Sequence, residues 1–335
     1  LSSSCSVIGM SNKEYKPTLS QLRTFVTIAE NKHFGTAATK LNISQPSLSQ
    51  ALVALETGLG IQLIERSTRK VIVTPKGETL LPYAKAALDA ADTFVLHSRG
   101  TEGTLAGPIT IGVIPTVAPY LLPHLLRELQ QNFPEAEPRI VEEQTNHLLN
   151  SLREGQIDVA VLALPTETPG LQEVELYTEP FVAVTPEGHP LAGHCDLTLS
   201  DLERLELLLL DDGHCLRDQI VDLCKLANVQ QSPASQSVTR AASLTTIVQL
   251  VVAGLGSTLV PLSAVETECS RPGLSVAAFD GDSGAERSVG LAYRASAARE
   301  DDFAALGELV KQAYESSIER VATVVPGLPA TPEAG

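Results

Sequence analysis

The chain has 335 residues, 43% of them hydrophobic and 19% charged, which is the composition of a globular protein with two or three domains. Its formal net charge of −16 argues, taken whole, against a polyanion binder, because phosphate contacts need clustered Lys and Arg. That average conceals an asymmetry: Met10 to Lys76 carries nine Lys/Arg against four Asp/Glu and the remainder 15 against 36, so one end is fit to meet DNA and the other repels it. Apolar runs fall far short of the ~18 residues of a membrane span. Leu1 to Gly9 has no basic flank or apolar core of a secretory signal and reads as a tag or extension before Met10, the only methionine. Five scattered cysteines, at 5, 195, 215, 224 and 269, form neither a C-x-x-C zinc pair nor a secreted disulfide framework, so no metal or cofactor is expected and the compartment is read as a reducing cytosol.

From Ser20, the expected N-cap, Leu22, Phe25, Val26, Ile28 and Ala29 recur at helical spacing. After a turn at His33 to Gly35, a short second helix is expected over Thr36 to Leu41, and Asn42 and Ile43 turn the chain into a third. Ser44 caps the third helix and Pro46 falls in its first turn, where a missing N–H costs nothing. Leu48, Leu52 and Leu55 share one face of it, leaving Gln45, Ser47, Ser49 and Gln50 to project outward, polar side chains that suit groove edges and phosphates. A basic turn, Arg66-Ser67-Thr68-Arg69-Lys70, leads into a strand at Val71 to Val73, completing a winged helix-turn-helix over residues 10–75. The plainer reading is a three-helix bundle with a solvated basic edge. Next, Thr74-Pro75-Lys76-Gly77-Glu78 opens a helix of about 25 residues whose Ala/Leu stripe, from Leu80 to Val95, predicts pairing with a copy of itself. Thr101 to Pro108 has the composition of a hinge, and residues 76–107 are read as linker helix plus hinge.

Beyond the hinge, strand-like runs (Ile109 to Ile114, Arg139 to Glu142, Ile157 to Ala163) alternate with helical ones (Val117 to Asn132, Asn146 to Glu154). A second set follows from Pro180: Leu205 to Leu210 strand-like, Cys215 to Asn228 and Ser243 to Gly254 helical, Ser257 to Val260 strand-like. The pattern predicts an α/β regulatory domain over 108–317, with a mainly parallel sheet and two lobes around a cleft. Residues 318–335, with Pro326, Pro329 and Pro332, read as a disordered tail.

This arrangement resembles the LysR-type transcriptional regulators, through Leu22-Arg23-Thr24-Phe25, His33-Phe34-Gly35-Thr36-Ala37-Ala38, Ile43-Ser44-Gln45-Pro46-Ser47-Leu48-Ser49 and Leu63-Ile64-Glu65-Arg66. The resemblance implies an N-terminal winged helix-turn-helix, a long linker helix and a C-terminal two-lobed, periplasmic-binding-protein-like sensor domain. It also implies a homotetramer, a dimer of dimers, on double-stranded promoter DNA at an interrupted palindrome. Thr36, Ser44, Gln45, Pro46, Ser47, Ser49, Gln50, Arg66, Arg69 and Lys70 are the expected DNA contacts. Most of the family senses a metabolite in the cleft. Here, Gly213-His214-Cys215-Leu216-Arg217-Asp218-Gln219, followed by Cys224, is similar to the redox segment of the family's peroxide-sensing branch. That likeness implies hydrogen peroxide as the signal, Cys215 as the peroxidatic and Cys224 as the resolving cysteine, Thr116 and Thr145 as peroxide-holding threonines, and Arg287 as the activating arginine.

Chemistry agrees with such a segment. Thiolate attacks peroxide, so a sensor cysteine needs solvent access and a stabilised anion. A helix start would favour the Cys215 thiolate, with Arg217 and His214 close enough in sequence to add charge or a proton donor. On one regular helix, Cys215 and Cys224 lie ~13 Å apart along the axis and about half a turn apart in direction. A disulfide needs Cα atoms within roughly 7 Å, so the helix must unwind before the bond forms. Plainer readings stand beside these: Cys224 as a buried small hydrophobe, His214 as a helix cap, Thr116 and Thr145 as ordinary turn residues, Cys195 and Cys269 as structural or incidental. Rival functions are a metabolite-responsive regulator, a thiol peroxidase and a passive architectural DNA binder; no enzymatic turnover is expected.

Overall fold

The computed structural model describes residues 15–66, 71–98, 105–229, 241–297 and 299–321. Residues 1–14 with the N-terminal extension, 67–70 of the basic turn, 99–104 with the first half of the hinge, 230–240, 298 and the tail from 322 lie outside the described residues. The chain divides into two compact units, 1–99 and 100–335.

The first unit runs α1 (Leu19–Asn31), α2 (Phe34–Lys40), α3 (Gln45–Leu59), β1 (Ile64–Arg66), β2 (Val71–Val73) and α4 (Pro75–Ser98). Thr18, rather than Ser20, caps α1: its side chain accepts the Gln21 N–H while the Gln21 side chain accepts the Thr18 N–H, a reciprocal capping box that fixes the start earlier than the apolar spacing suggested. The His33 ring accepts the Thr36 N–H at the start of α2, and the Ser44 hydroxyl accepts the Ser47 N–H at the start of α3. Phe25, Ile28, Leu48, Leu52, Leu55, Leu63 and Ile64 form the core, joined by Ala84 and Leu88 of α4. Lys85, almost fully buried, pairs with Glu30 at 3.0 Å and ties α4 to α1. The strands β1 and β2 pair as an antiparallel hairpin, the wing.

The second unit contains β3 (Gly107–Val113), α5 (Ala118–Asn132), β4 (Ala136–Glu142), α6 (Thr145–Arg153), β5 (Val159–Leu164), β6 (Leu171–Pro186), α7 (Cys215–Leu226), α8 (Leu244–Val252), β7 (Thr258–Pro261), α9 (Val265–Cys269), β8 (Leu274–Ala278), β9 (Glu286–Arg294) and α10 (Glu300–Ile318). The strand order is β4-β3-β5-β9-β6-β7, with β8 also paired to β6. β3 is parallel to β4 and β5, as helical crossovers require. By contrast, β9 is antiparallel to both β5 and β6, and β6 is antiparallel to β7 and β8. The sheet is therefore mixed and not mainly parallel, because the late strand β9 enters its middle from the opposite end. Leu205 to Leu210 is not a strand either; Leu207 makes one isolated bridge to Ser257, and Leu205, Leu207, Leu209 and Leu210 are apolar because they are buried. The 16-residue β6 spans both lobes, pairing β9 along its first part and β7 and β8 along its last. β3, β4 and β5 belong to one lobe with α5 and α6; β7 and β8 belong to the other with α7, α8 and α9.

Candidate thiol site between the lobes

Cys215 is the first residue of α7, with His214 in extended conformation as its N-cap. Ahead of them Gly213 adopts φ +94°, where side chains are strained, and a Cβ there would fall 2.5 Å from Gln144 Oε1. Gln144 is itself the N-cap of α6. Glycine thus lets the starts of α6 and α7, one from each lobe, meet at close range.

Several polar atoms at this meeting point have no hydrogen-bond partner among the described residues: Thr145 Oγ1 at the first position of α6, His214 Nδ1, and Gln219 Oε1 one turn beyond Cys215 on α7. Each buried, unpaired polar atom costs about 1–3 kcal/mol. A group of them beside a half-buried thiol is therefore suited to a small guest that both donates and accepts hydrogen bonds.

Thr116, just after β3, and Arg287 on β9 are bound to each other. Arg287 Nη1 donates to Thr116 Oγ1 at 3.0 Å and Nη2 to the Thr116 carbonyl at 3.1 Å. On its other side, Arg287 donates to Glu179 Oε2 through Nε at 2.9 Å and Nη2 at 2.6 Å, with both side chains fully buried. Burial works against the guanidinium charge, but Glu179 foremost, then Cys215 and Tyr177, hold its pKa above the ordinary arginine value. Arg287 is a permanent cation within electrostatic reach of the Cys215 sulfur.

Two expectations about the segment change. His214 is buried, and burial pushes its imidazole below the usual histidine value in spite of Asp211. It contributes a neutral ring rather than a charge, and although it occupies the N-cap position its side chain makes no cap hydrogen bond. Arg217 turns back to brace the preceding turn, with Nε 2.9 Å from Asp212 Oδ1 and Nη1 3.1 Å from the Leu210 carbonyl.

Cys215 and Cys224 are free thiols on one continuous helix. Cys215 is half-buried, whereas Cys224 is almost fully buried and burial pushes its thiol upward. The other two described cysteines are Cys195, exposed, and Cys269, buried and pushed up to about 12 by burial first and by Glu268 second.

In the first unit Thr36, Ser44, Gln45, Pro46, Ser47 and Gln50 are exposed and Ser49 is half-buried. Arg66 ends β1, its side chain outside the description, while Arg69 and Lys70 lie outside the described residues. Among the described residues no His/Cys/Asp/Glu cluster suits a metal ion, and no helix is long and apolar enough to cross a membrane.

Sequence reading missed two residues of the site. Gln219 had a signal, its i+4 spacing from Cys215 on a predicted helix. Glu179 had none, since nothing local marks a carboxylate that will meet an arginine 108 residues away.

A winged helix-turn-helix joined to a two-lobed α/β unit defines a class of bacterial regulators, and comparison agrees. The description "Bacterial regulatory helix-turn-helix protein, lysR family" matches residues 19–78 and "LysR substrate binding domain" matches residues 102–315; the chain belongs to the LysR family. It is 48% identical over 301 residues to a probable hydrogen peroxide-inducible genes activator of Mycobacterium leprae, covering 90% of this chain and 96% of that one. It is 60% identical to OxyR of Corynebacterium glutamicum, solved as a cysteine-to-serine mutant with hydrogen peroxide bound; the match covers 92% of this chain and 98% of that one, with a TM-score of 0.65. The oxidised form of the same OxyR matches with a TM-score of 0.59, over 93% of this chain and 97% of that one, at 60% identity.

Proposed function

We propose that the chain is a cytoplasmic DNA-binding transcriptional regulator that senses hydrogen peroxide through a reversible disulfide between Cys215 and Cys224. One observation carries this reading: a half-buried thiol at a helix start, within electrostatic reach of the buried Arg287 cation, on a segment that meets the other lobe at Gln144 and carries unpaired polar atoms at His214 and Gln219. The names of the relatives, peroxide-inducible activators and a peroxide-bound OxyR, support it.

Thr145, Gln219 and His214 supply hydrogen-bonding atoms for peroxide. Thr116 accepts from Arg287, which leaves its own hydroxyl hydrogen to donate. The Cys215 thiolate attacks one peroxide oxygen and the O–O bond breaks. The other oxygen departs as hydroxide and takes a proton to become water, leaving Cys215 as a sulfenic acid. The Cys224 sulfur then attacks the Cys215 sulfur, and the sulfenic oxygen leaves with two protons as a second water. Each event consumes one peroxide and stops at the disulfide, which separates a sensor from a peroxidase.

In the reduced form, nine residues of helix hold the two Cα atoms ~13 Å apart along the axis, beyond disulfide reach. Closing the bond requires α7 to unwind and leave its apolar seat, and that rearrangement is the signal. α3 reads the promoter through its exposed polar face, the wing adds phosphate contacts, and α4, with exposed Tyr83, Phe94 and Val95, pairs protomers within a homotetramer.

The test is promoter footprinting of the purified protein before and after one equivalent of peroxide, with thiol counting, for the natural chain and Cys215→Ser. A changed footprint with loss of two thiols, absent in the variant, is expected. An unchanged footprint with both thiols intact overturns the reading in favour of a metabolite-responsive regulator.

A further inference from the structure

Behind the thiol site lies a carboxylate that the redox reading leaves without a role. Glu179 stands on β6 directly opposite Arg287 of β9 in the antiparallel register. Its Oε2 accepts both Nε–H and one Nη2–H of Arg287, while its Oε1 accepts the Ser263 amide at 2.9 Å, so neither oxygen is idle. Close by, Tyr177 and Tyr314 stack with ring centroids 3.8 Å apart and planes at 8°. Both feel the Glu179 charge, and both are buried. This apolar wall leaves Arg287 no solvent to turn toward.

A guanidinium carries five N–H donors in a rigid fork. Glu179 takes two, the Thr116 carbonyl takes one and Thr116 Oγ1 takes one. The remaining donor, on Nη1, finds no acceptor among the described residues. Because the fork is rigid, fixing Nε and Nη2 fixes where that last N–H points.

We propose that Glu179 is a positioning residue for peroxide reduction at Cys215: its two-point grip on Arg287 holds the free Nη1–H in place for the departing peroxide oxygen. The proposal rests on the redox reading. Negative charge builds on that oxygen as the O–O bond breaks, and a donor already aimed at it lowers the barrier without reorganisation. Glu179 touches neither thiol nor guest and acts only through Arg287. Glutamine in its place has one carbonyl oxygen to serve both the Ser263 N–H and Arg287, so the grip is lost.

The experiment measures two rates at Cys215 by peptide mass spectrometry in a Cys224→Ser background, which isolates the first step: oxidation by hydrogen peroxide and alkylation by iodoacetamide. Alkylation needs the thiolate but no donor for a leaving oxygen on peroxide. Glu179→Gln is expected to slow oxidation about tenfold or more, while alkylation holds or rises because the cation near Cys215 has lost its counter-charge. Glu179→Asp, which keeps the charge, is expected to recover part of the oxidation rate, and it stands in if the glutamine variant does not fold. Oxidation and alkylation changing by the same factor in both variants, or not at all, would reduce Glu179 to a structural ion pair and overturn the proposal. Failure of the redox reading looks different: the Glu179 form would then not be oxidised at Cys215 at all.

Discussion

The two ends of α7 carry the same residue in opposite surroundings. At the N-terminal end, Cys215 is half-buried among unpaired polar atoms and beside the Arg287 cation. At the C-terminal end, Cys224 is buried with Leu223 and Ile220, and burial alone pushes its thiol upward. One environment sets a cation and unpaired polar atoms near the sulfur and suits a small polar guest; the other is apolar. On the proposed function, reactivity is a property of the seat rather than of the sulfur, and the contrast sets an order of events: Cys215 reacts first, and Cys224 becomes a nucleophile only when the helix that buries it lets go.

The largest effect expected from breaking the contrast is at Cys224. Cys224→Ala should abolish the peroxide-induced disulfide while leaving oxidation of Cys215 intact, so that a sulfenic acid accumulates and is trapped by dimedone. If the variant instead closes an intramolecular disulfide with Cys195 or Cys269, the pairing assigned here is wrong. Next in size is the apolar seat. Ile220, 2% exposed, anchors the middle of α7, and Ile220→Ala should cost about 2–5 kcal/mol in urea denaturation of the reduced protein. Because a less firmly seated helix unwinds more readily, the sulfenic-to-disulfide step should speed up in stopped-flow traces while the first step keeps its rate. A slower second step would show that leaving the seat is not what limits it.

How much of this was legible beforehand follows from how local each signal is. The helices of the first unit were readable from residues a few positions apart, such as Leu48, Leu52 and Leu55 with Ser44 ahead of them. The start of α1 lies earlier than apolar spacing predicts because the capping box of Thr18 and Gln21 fixes it. The sheet departs from the parallel expectation for a different reason: the direction of β9 is set by a chain path that returns across both lobes, and nothing within Glu286 to Arg294 encodes it. Leu205 to Leu210 misled because burial selects the same leucines whether or not a ladder forms. Within the site, the cysteine spacing and the helix start were visible in one short segment. The bond between Thr116 and Arg287 spans 171 residues; family likeness pointed to each residue but not to the bond. Glu179 was invisible because cross-strand register is decided by the assembled sheet.

The smallest expected effect sharpens the contrast through pH. His214 lies at the polar end of α7, yet its burial lowers the imidazole pKa in the folded protein from its ordinary 6.5, with Asp211 opposing the shift. The unfolded chain therefore binds the proton more readily, and stability rises with pH where the two states differ. This contribution is present above the ordinary histidine value and is lost as pH falls below it. Urea denaturation of the reduced protein at about pH 8 and about pH 5 should show the loss, at under about 1.4 kcal/mol per pH unit. In His214→Asn, which carries no titrating ring, the slope should be flatter over the same window. An identical slope in His214→Asn would mean that the ring is not held neutral. The polar end of α7 would then bear a second cation beside Arg287, and the order of reactivity would rest on charge more than on the unpaired hydrogen-bonding atoms.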